Sequence, residues 1–177
     1  MNNYKQSLIR KLKAKSIELK DELSYLNSVY DIAVQDFCLA VSKYCEETDI
    51  INPLLRETPK EKDEEVKNLT PEIKKLFREI AKKTHTDISK SEDTRETLED
   101  AVKAKKESKS SNILSIAHEL KIDTSNLDYK SIELVESSIK NQERDINNIT
   151  NSYPWAWYHA SKNRKDNIIR EFVSSRV

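Results

Sequence analysis

Apolar residues recur at alternating intervals of three and four along the first third of the chain. This is the spacing of a heptad seam sustained over five repeats, and it predicts one long amphipathic, coiled-coil-like helix over about residues 3 to 47. The stripe consists of Ile9, Leu12, Leu19, Leu23, Leu26, Tyr30, Ala33, Phe37, Ala40 and Tyr44, with Ser16 as a polar break. A second chain or the rest of the same chain could bury this stripe. Its aromatic members favour packing of the second half within the chain, which leaves the first half free or oligomeric.

A change of pattern follows this helix. Asn52-Pro53 and Thr58-Pro59 are helix breakers, and the run from Lys60 to Glu65 is charged and largely self-neutralising. We therefore divide the chain into a long helical segment, 1–51, and a linker, 52–69.

The next segment, 70–122, predicts a helical hairpin. Thr70-Pro71-Glu72 is a strong helix start, because it supplies a capping hydroxyl, a proline at the first helical position and an acid in the first turn. This helix is expected to end near Lys83. A polar loop separates it from a second helix that opens at Ser91-Glu92-Asp93. The stretch 108–112 predicts an interruption, after which the apolar face continues to Leu120.

The last segment, 123–177, predicts further helices with an aromatic cluster. A turn over Asp123–Asp128 precedes a heptad-like helix that ends at Asn151-Ser152-Tyr153-Pro154. A final helix places Ile168 and Phe172 on one face. The predicted fold class is all-α.

The composition excludes several kinds of functional site. The chain contains no glycine, so it can carry no phosphate-binding loop, dinucleotide fingerprint or nucleophile elbow. Lys+Arg and Asp+Glu are equal at 31 each, which gives no global reason to expect nucleic acid or a membrane as partner. We expect a non-enzymatic cytoplasmic protein without a cofactor; its start lacks a secretory h-region, and no apolar run reaches bilayer length.

The cysteines and histidines predict no metal site. Cys38 and Cys45 lie seven residues apart on one predicted helix, beyond disulfide reach, and are expected to be reduced thiols. His85, His118 and His159 lie in separate segments without metal-ligand spacing.

The first helix of the hairpin and the loop after it resemble the J domain, the helical hairpin of co-chaperones that act on heat-shock ATPases of the seventy-kilodalton class. The resemblance covers about residues 70 to 107. Phe77 and Ala81 stand where that family has an aromatic and a small residue, and Leu98, Ala101 and Ala104 fit the inward positions of its next helix. The residues that carry it run without a gap as Glu72-Ile73-Lys74-Lys75-Leu76-Phe77-Arg78-Glu79-Ile80-Ala81-Lys82-Lys83-Thr84-His85-Thr86-Asp87.

The resemblance implies an antiparallel hairpin and a partner-binding site. Five cations of the first helix would dock the ATPase, and the loop residues His85 and Asp87 would bias it towards hydrolysis. The docking cations are Lys74, Lys75, Arg78, Lys82 and Lys83. Thr86 departs from the family, which has a proline there that is nearly obligatory for activating the ATPase. The family's short first helix has no match in 52–69, so the long N-terminal helix is the expected support of the hairpin.

Both tryptophans of the chain lie in one aromatic run near its end. Trp155, Trp157 and Tyr158 predict either a second interaction patch, with Arg164 and Lys165 nearby, or rings that plug a helix junction and anchor the C-terminal segment. Packing is the favoured interpretation. Nucleic-acid binding through these rings and the basic helix is the least favoured function, because the charge is balanced.

Two functions therefore follow from the sequence. The first is a divergent J-like co-chaperone or adaptor whose partner is the heat-shock ATPase. The second is a structural or assembly protein, such as a virion or bacteriophage component, that reuses a J-like hairpin and forms a homo-oligomer or larger assembly in a host cytoplasm or virion.

Overall fold

All regular secondary structure is helical over the residues that the computed structural model describes, 2–55, 68–84 and 92–176. The predicted all-α class is confirmed. A 3-10 turn, Pro53–Leu55, follows the first helix. The α-helices of the described residues are α1 (Asn2–Thr48), α2 (Pro71–Thr84), α3 (Glu92–Lys106), α4 (Ser110–Glu119), α5 (Tyr129–Thr150), α6 (Tyr153–Tyr158) and α7 (Lys162–Ser174). None of them combines the length and the apolar character needed to cross a membrane.

The long predicted N-terminal helix is confirmed as α1, but its buried stripe differs near the end. The core there is formed by Val41 and Cys45, whereas the predicted Ala40 and Tyr44 are only half-buried. From Phe37 onward the buried positions are therefore four residues apart. A straight α-helix has 3.6 residues per turn and drifts away from a strict 3.5-residue repeat, so the stripe moves across the helix surface.

Contacts divide the chain into two compact units, and both are discontinuous in sequence. One comprises Met1–Glu22 with Asp63–Glu143, and the other Leu23–Lys62 with Arg144–Val177. The division differs from the predicted segments 1–51, 52–69, 70–122 and 123–177, because α1 and α5 each contribute to both units. Of the predicted linker, residues 56–67 lie outside the described part of the chain.

The first unit is built on α2, α3 and α4, each of which packs against the other two. The predicted interruption at 108–112 was placed too late, because the break between α3 and α4 covers residues 107–109 and residues 110–112 already belong to α4. From Ser110 to Ala117 every residue of α4 except Asn112 is buried. The region predicted as a hairpin therefore contains three mutually packed helices.

The N-terminal part of α1 packs within this unit, so the expectation that it is free was wrong. Ile9 and Leu19 are buried. The ammonium of Lys20 lies 3.2 Å from the Glu119 carboxylate on α4. A heptad pattern cannot distinguish a partner in the same chain from one in another, since both bury the same stripe.

The second unit encloses a separate apolar core, and packing of the second half of α1 within the chain is confirmed. Phe37, Val41 and Cys45 meet a cluster of apolar side chains from α7, namely Ile168, Ile169, Phe172 and Val173. Burial raises the pKa of the Cys45 thiol. Cys38 and Cys45 are both free thiols.

Three helix ends adopt the left-handed conformation that glycine usually supplies. Asp49, Ser108 and Lys121 have φ angles of 55°, 53° and 54°. At each site the next residue's backbone N–H donates to a carbonyl five residues earlier, as in Lys109 to Ala104 at 2.8 Å and Ile122 to Ala117 at 2.8 Å. This is the Schellman arrangement, and it satisfies helix-end carbonyls without any glycine.

Candidate partner-binding surface on α2

The start of α2 is set by a buried threonine. The Ile73 backbone N–H donates to the Thr70 hydroxyl at 3.4 Å, and Pro71 opens the helix. Thr70 is thus the predicted capping residue. Its hydroxyl also bonds to the hydroxyl of Ser131 in the first turn of α5. These contacts fix where α2 begins and, through its 3.6-residue period, which face it buries.

The buried face of α2 contains four residues, and one of them is polar. Ile73, Leu76 and Ile80 are buried, as predicted. Thr84 joins them by donating its hydroxyl to the Ile80 carbonyl at 2.9 Å. Phe77 and Ala81 are only half-buried. The Phe77 ring lies under the Lys105 ammonium, which is 4.4 Å from the ring centre, so it contributes to the contact with α3.

The opposite face of α2 carries a basic ridge, which we define as Lys74, Arg78 and Lys82. All three are exposed. They are four residues apart, so their Cα atoms follow one helix face at intervals of about 6 Å. None of them forms an ion pair with another described residue. Within the described part of the chain, no ion pair therefore compensates the positive charge of the ridge.

The two remaining predicted cations differ from the ridge. Lys75 is exposed but lies close enough to Asp123 to lower the pKa of that carboxyl, as a smaller cause behind two hydrogen bonds from Ser125. Lys83 is exposed, and its ammonium donates to the Leu120 carbonyl at 2.8 Å. That bond caps the end of α4. Lys83 thus has a structural contact that the ridge residues lack.

His85, Thr86 and Asp87 lie outside the described residues. Their predicted role in the loop therefore stays a prediction. The predicted docking residues that the structure describes are the five cations of α2.

The chain matches no known family model, no curated protein and no solved structure.

The predicted second patch is largely engaged in packing. The Trp157 ring meets Phe37 edge-on at 5.9 Å, and the Lys165 ammonium lies 4.2 Å from its centre. Trp155 and Tyr158 both contact the His159 ring, at 4.5 and 5.2 Å. Bases stack on free aromatic faces, and Phe37 and Lys165 already contact the Trp157 ring. Trp155 and Tyr158 are half-buried and contact the exposed His159. The packing interpretation of the aromatic run therefore has direct support from the contacts of Trp157.

Sequence reasoning missed one feature near α2. A cavity of about 360 Å³ is lined by residues of the first turns of α2 and of the loop at 123–127. Its lining includes Glu72 and Thr124, and no periodicity or motif in the sequence brings these two positions together. Among the described residues, no group of three or more His, Cys, Asp or Glu side chains could hold a metal ion.

Proposed function

We propose that the chain is a J-like adaptor that docks on an acidic surface of a seventy-kilodalton-class heat-shock ATPase through the basic ridge of α2. The observation that carries this proposal is the exposure of Lys74, Arg78 and Lys82 without ion-pair partners among the described residues. A helix lysine can pair with a carboxylate four residues away. On this face each ridge cation has another cation at that distance instead.

The ridge lowers the stability of α2 but favours association with an acidic surface. Like charges four residues apart destabilise a helix slightly, so the ridge is not explained by the stability of α2. The same charges attract an acidic surface and raise the rate of association, which falls with ionic strength. A docking role accounts for both properties.

The docking test is binding of the purified ATPase to charge-reversed variants. We expect Lys74→Glu/Arg78→Glu/Lys82→Glu to weaken binding at least tenfold, which is about 1.4 kcal/mol. The matched control is Arg10→Glu/Lys11→Glu/Lys140→Glu, which reverses one arginine and two lysines at other exposed positions. If both triple variants lost the same affinity for the ATPase, the effect would be one of net charge, and the proposal that the ridge is a specific docking site would be contradicted.

Activation of the ATPase is a separate measurement. His85→Gln should abolish any stimulation of ATP hydrolysis while leaving binding intact. Binding without stimulation by the wild-type chain would agree with Thr86 in place of the family's proline, and it would make the protein a docking adaptor alone. No binding by the wild-type chain at low salt would refute the proposal.

A second candidate function is a structural or assembly role, and the outer face of α1 favours it. Tyr25, Ile32 and Leu39 are exposed by 64%, 52% and 71%. They lie one heptad apart, which is the spacing of a helix–helix seam. Asp31 and Asp36 flank them, and residues 23–39 contain no Lys or Arg. An identical acidic seam would be repelled, so the complementary occupant is a partner helix with basic flanks.

This candidate can be tested with a designed peptide helix that carries leucines at heptad spacing and lysines beside them. We expect binding that Ile32→Ser/Leu39→Ser removes and that the control Tyr4→Ser/Ile51→Ser retains, since these two are equally exposed apolar residues outside the seam. A peptide with glutamates in place of lysines should not bind. Light scattering that gives a stable multiple of 20.6 kDa for the protein alone, unchanged in Ile32→Ser/Leu39→Ser, would contradict this seam.

A further inference from the structure

Two buried polar atoms at the cavity beside the start of α2 have no partner among the described residues. Glu72 and Thr124 both line it. Glu72 Oε2 and Thr124 Oγ1 are buried, and no described residue forms a hydrogen bond with either. Thr124 as a whole is only 2% exposed. Buried polar atoms are normally paired, because an unpaired group loses its hydration without compensation. Two such atoms at one cavity call for an occupant that donates hydrogen bonds.

The charge around the cavity selects the kind of donor. Glu72, Glu79 and Asp123 line it, against the single cation Lys75. Lys13 is a further cation near Asp123. The acids outnumber the cations even when Lys13 is counted, and a carboxylate oxygen accepts hydrogen bonds but cannot donate them. The cavity is therefore suited to a positively charged donor.

Asp123 contributes a stable negative charge to this rim. Its carboxylate accepts the Ser125 backbone N–H and the Ser125 hydroxyl, each at 2.9 Å. These two hydrogen bonds, followed by the nearby lysines, lower the pKa of Asp123. The carboxyl is consequently ionised at neutral pH.

The remaining lining favours an organic cation over a metal ion. Leu76 and Leu127 form apolar parts of the wall, and such surface suits the methylene stem of an amine or guanidinium compound. Among the described residues, no cluster of three or more His, Cys, Asp or Glu side chains has the arrangement needed to bind a metal ion. The volume of about 360 Å³ lies within the range of small-ligand pockets.

We propose that this cavity binds a protonated amine or guanidinium group, which pairs with the Glu72 carboxylate and donates to the Thr124 hydroxyl. The group belongs either to a small free amine or to a lysine or arginine side chain of a partner protein. The site is distinct from the basic ridge, so it stands independently of the proposed docking of the ATPase.

The experiment is a titration of the full chain followed by amide NMR shifts, with agmatine and an acetylated, amidated arginine dipeptide as the two probes. We expect shifts at Glu72 and at residues 123–127 with a dissociation constant of about 1 mM or tighter. Tighter binding of agmatine assigns the site to a free amine, and tighter binding of the dipeptide assigns it to a partner's side chain. Urea, a neutral donor of similar shape to guanidinium, should produce no saturable shift at the same concentrations.

Three variants make the proposal specific. Glu72→Gln and Thr124→Val should each weaken probe binding about tenfold, whereas Glu133→Gln, an exposed position on α5, should leave it unchanged. Lys75→Gln should strengthen binding, because it removes the competing cation, and this gain cannot arise from misfolding. No saturable shift up to about 10 mM probe, or an equal response to urea, would overturn the proposal.

Discussion

The hydroxyl of Thr70 is hydrogen-bonded to the hydroxyl of Ser131, 61 residues later in the chain. Thr70 caps α2, and Ser131 lies in the first turn of α5, where its backbone N–H donates to Asp128 at 2.8 Å. The starts of two helices are thereby joined through buried hydroxyls. This junction sets the position of α2, on which the basic ridge and one wall of the cavity both depend.

Replacing Thr70 tests this junction. Thr70→Val keeps the shape but removes the cap of α2 and leaves the Ser131 hydroxyl without its partner, so we expect a loss of about 1–3 kcal/mol in the free energy of unfolding. Thr70→Ser retains the hydroxyl and should cost less than about 1 kcal/mol. Urea unfolding followed by far-UV circular dichroism measures both. A larger loss in Thr70→Ser than in Thr70→Val would show that packing of the methyl group, and not the hydroxyl, matters.

The stability should depend on the ionisation of Asp128. Hydrogen bonds from Ser131, through its side chain and its backbone N–H, lower the pKa of Asp128 in the folded state. The unfolded state therefore binds more protons in acid, and the contribution of Asp128 is present above the unfolded pKa of about 3.9 and is lost as the pH falls through the folded pKa.

The variant Asp128→Asn separates the contribution of Asp128 to the pH dependence of stability from the contributions of the other carboxylates. The difference in free energy of unfolding between wild type and Asp128→Asn should be constant above about pH 5 and shrink towards zero in acid. Asp128→Ala removes the acceptor altogether and should cost about 1 kcal/mol at neutral pH. A difference between wild type and Asp128→Asn that stays flat from about pH 7 to pH 2.5 would contradict the lowered pKa.

Ser16→Ala should stabilise the protein. Ser16 is 0% exposed, and its buried hydroxyl has no hydrogen-bond partner in the part of the chain that the structure describes. Removing an unpaired buried hydroxyl and introducing the best helix former should raise the free energy of unfolding by about 1 kcal/mol. The control Ser28→Ala lies at an exposed position of α1 and should change it by less than about 0.5 kcal/mol. Destabilisation by Ser16→Ala would mean that the hydroxyl has a partner.

Glycine should stabilise the left-handed position at Lys121. A side chain with a Cβ atom is strained at positive φ, so Lys121→Gly should raise the free energy of unfolding by about 1 kcal/mol. Lys121→Ala removes the same exposed side chain but keeps the Cβ atom, and its stability should stay near that of the wild type. If alanine stabilises as much as glycine, the lysine side chain and not the backbone would be the source of the strain.

The elements of the fold could be predicted from local signals, as α1 and α2 show. The sustained apolar stripe predicted α1 to within one residue at each end. The threonine, proline and acid at 70–72 located the start of α2. These signals act within one turn of helix, and no other part of the chain is needed to interpret them. The short helix α6 had such a signal too, since Ser152 caps it by accepting the Trp155 N–H at 3.3 Å, but Pro154 was interpreted only as the end of α5.

What could not be predicted depends on distant residues. Ser111 lies in the core because it bonds to Ser138 and Gln142 on α5, both at 2.7 Å, and serine alone does not indicate burial. The cavity arises from positions about fifty residues apart, Glu72 and Thr124. The chain contains no glycine, yet Lys121 shows that this does not exclude left-handed backbone.

The continuity of α1 has a consequence for dissecting this protein. Residues 2–22 of that helix belong to one compact unit and residues 23–48 to the other. Neither unit corresponds to an uninterrupted stretch of sequence, so truncating the chain at one position cannot produce either unit complete. A truncation that removes the first 22 residues would remove the buried Ile9 and Leu19 and the ion pair from Lys20 to Glu119 on α4, which lies 99 positions downstream. Fragments for isotope labelling or crystallisation must therefore join two separate stretches of the chain to keep one unit whole.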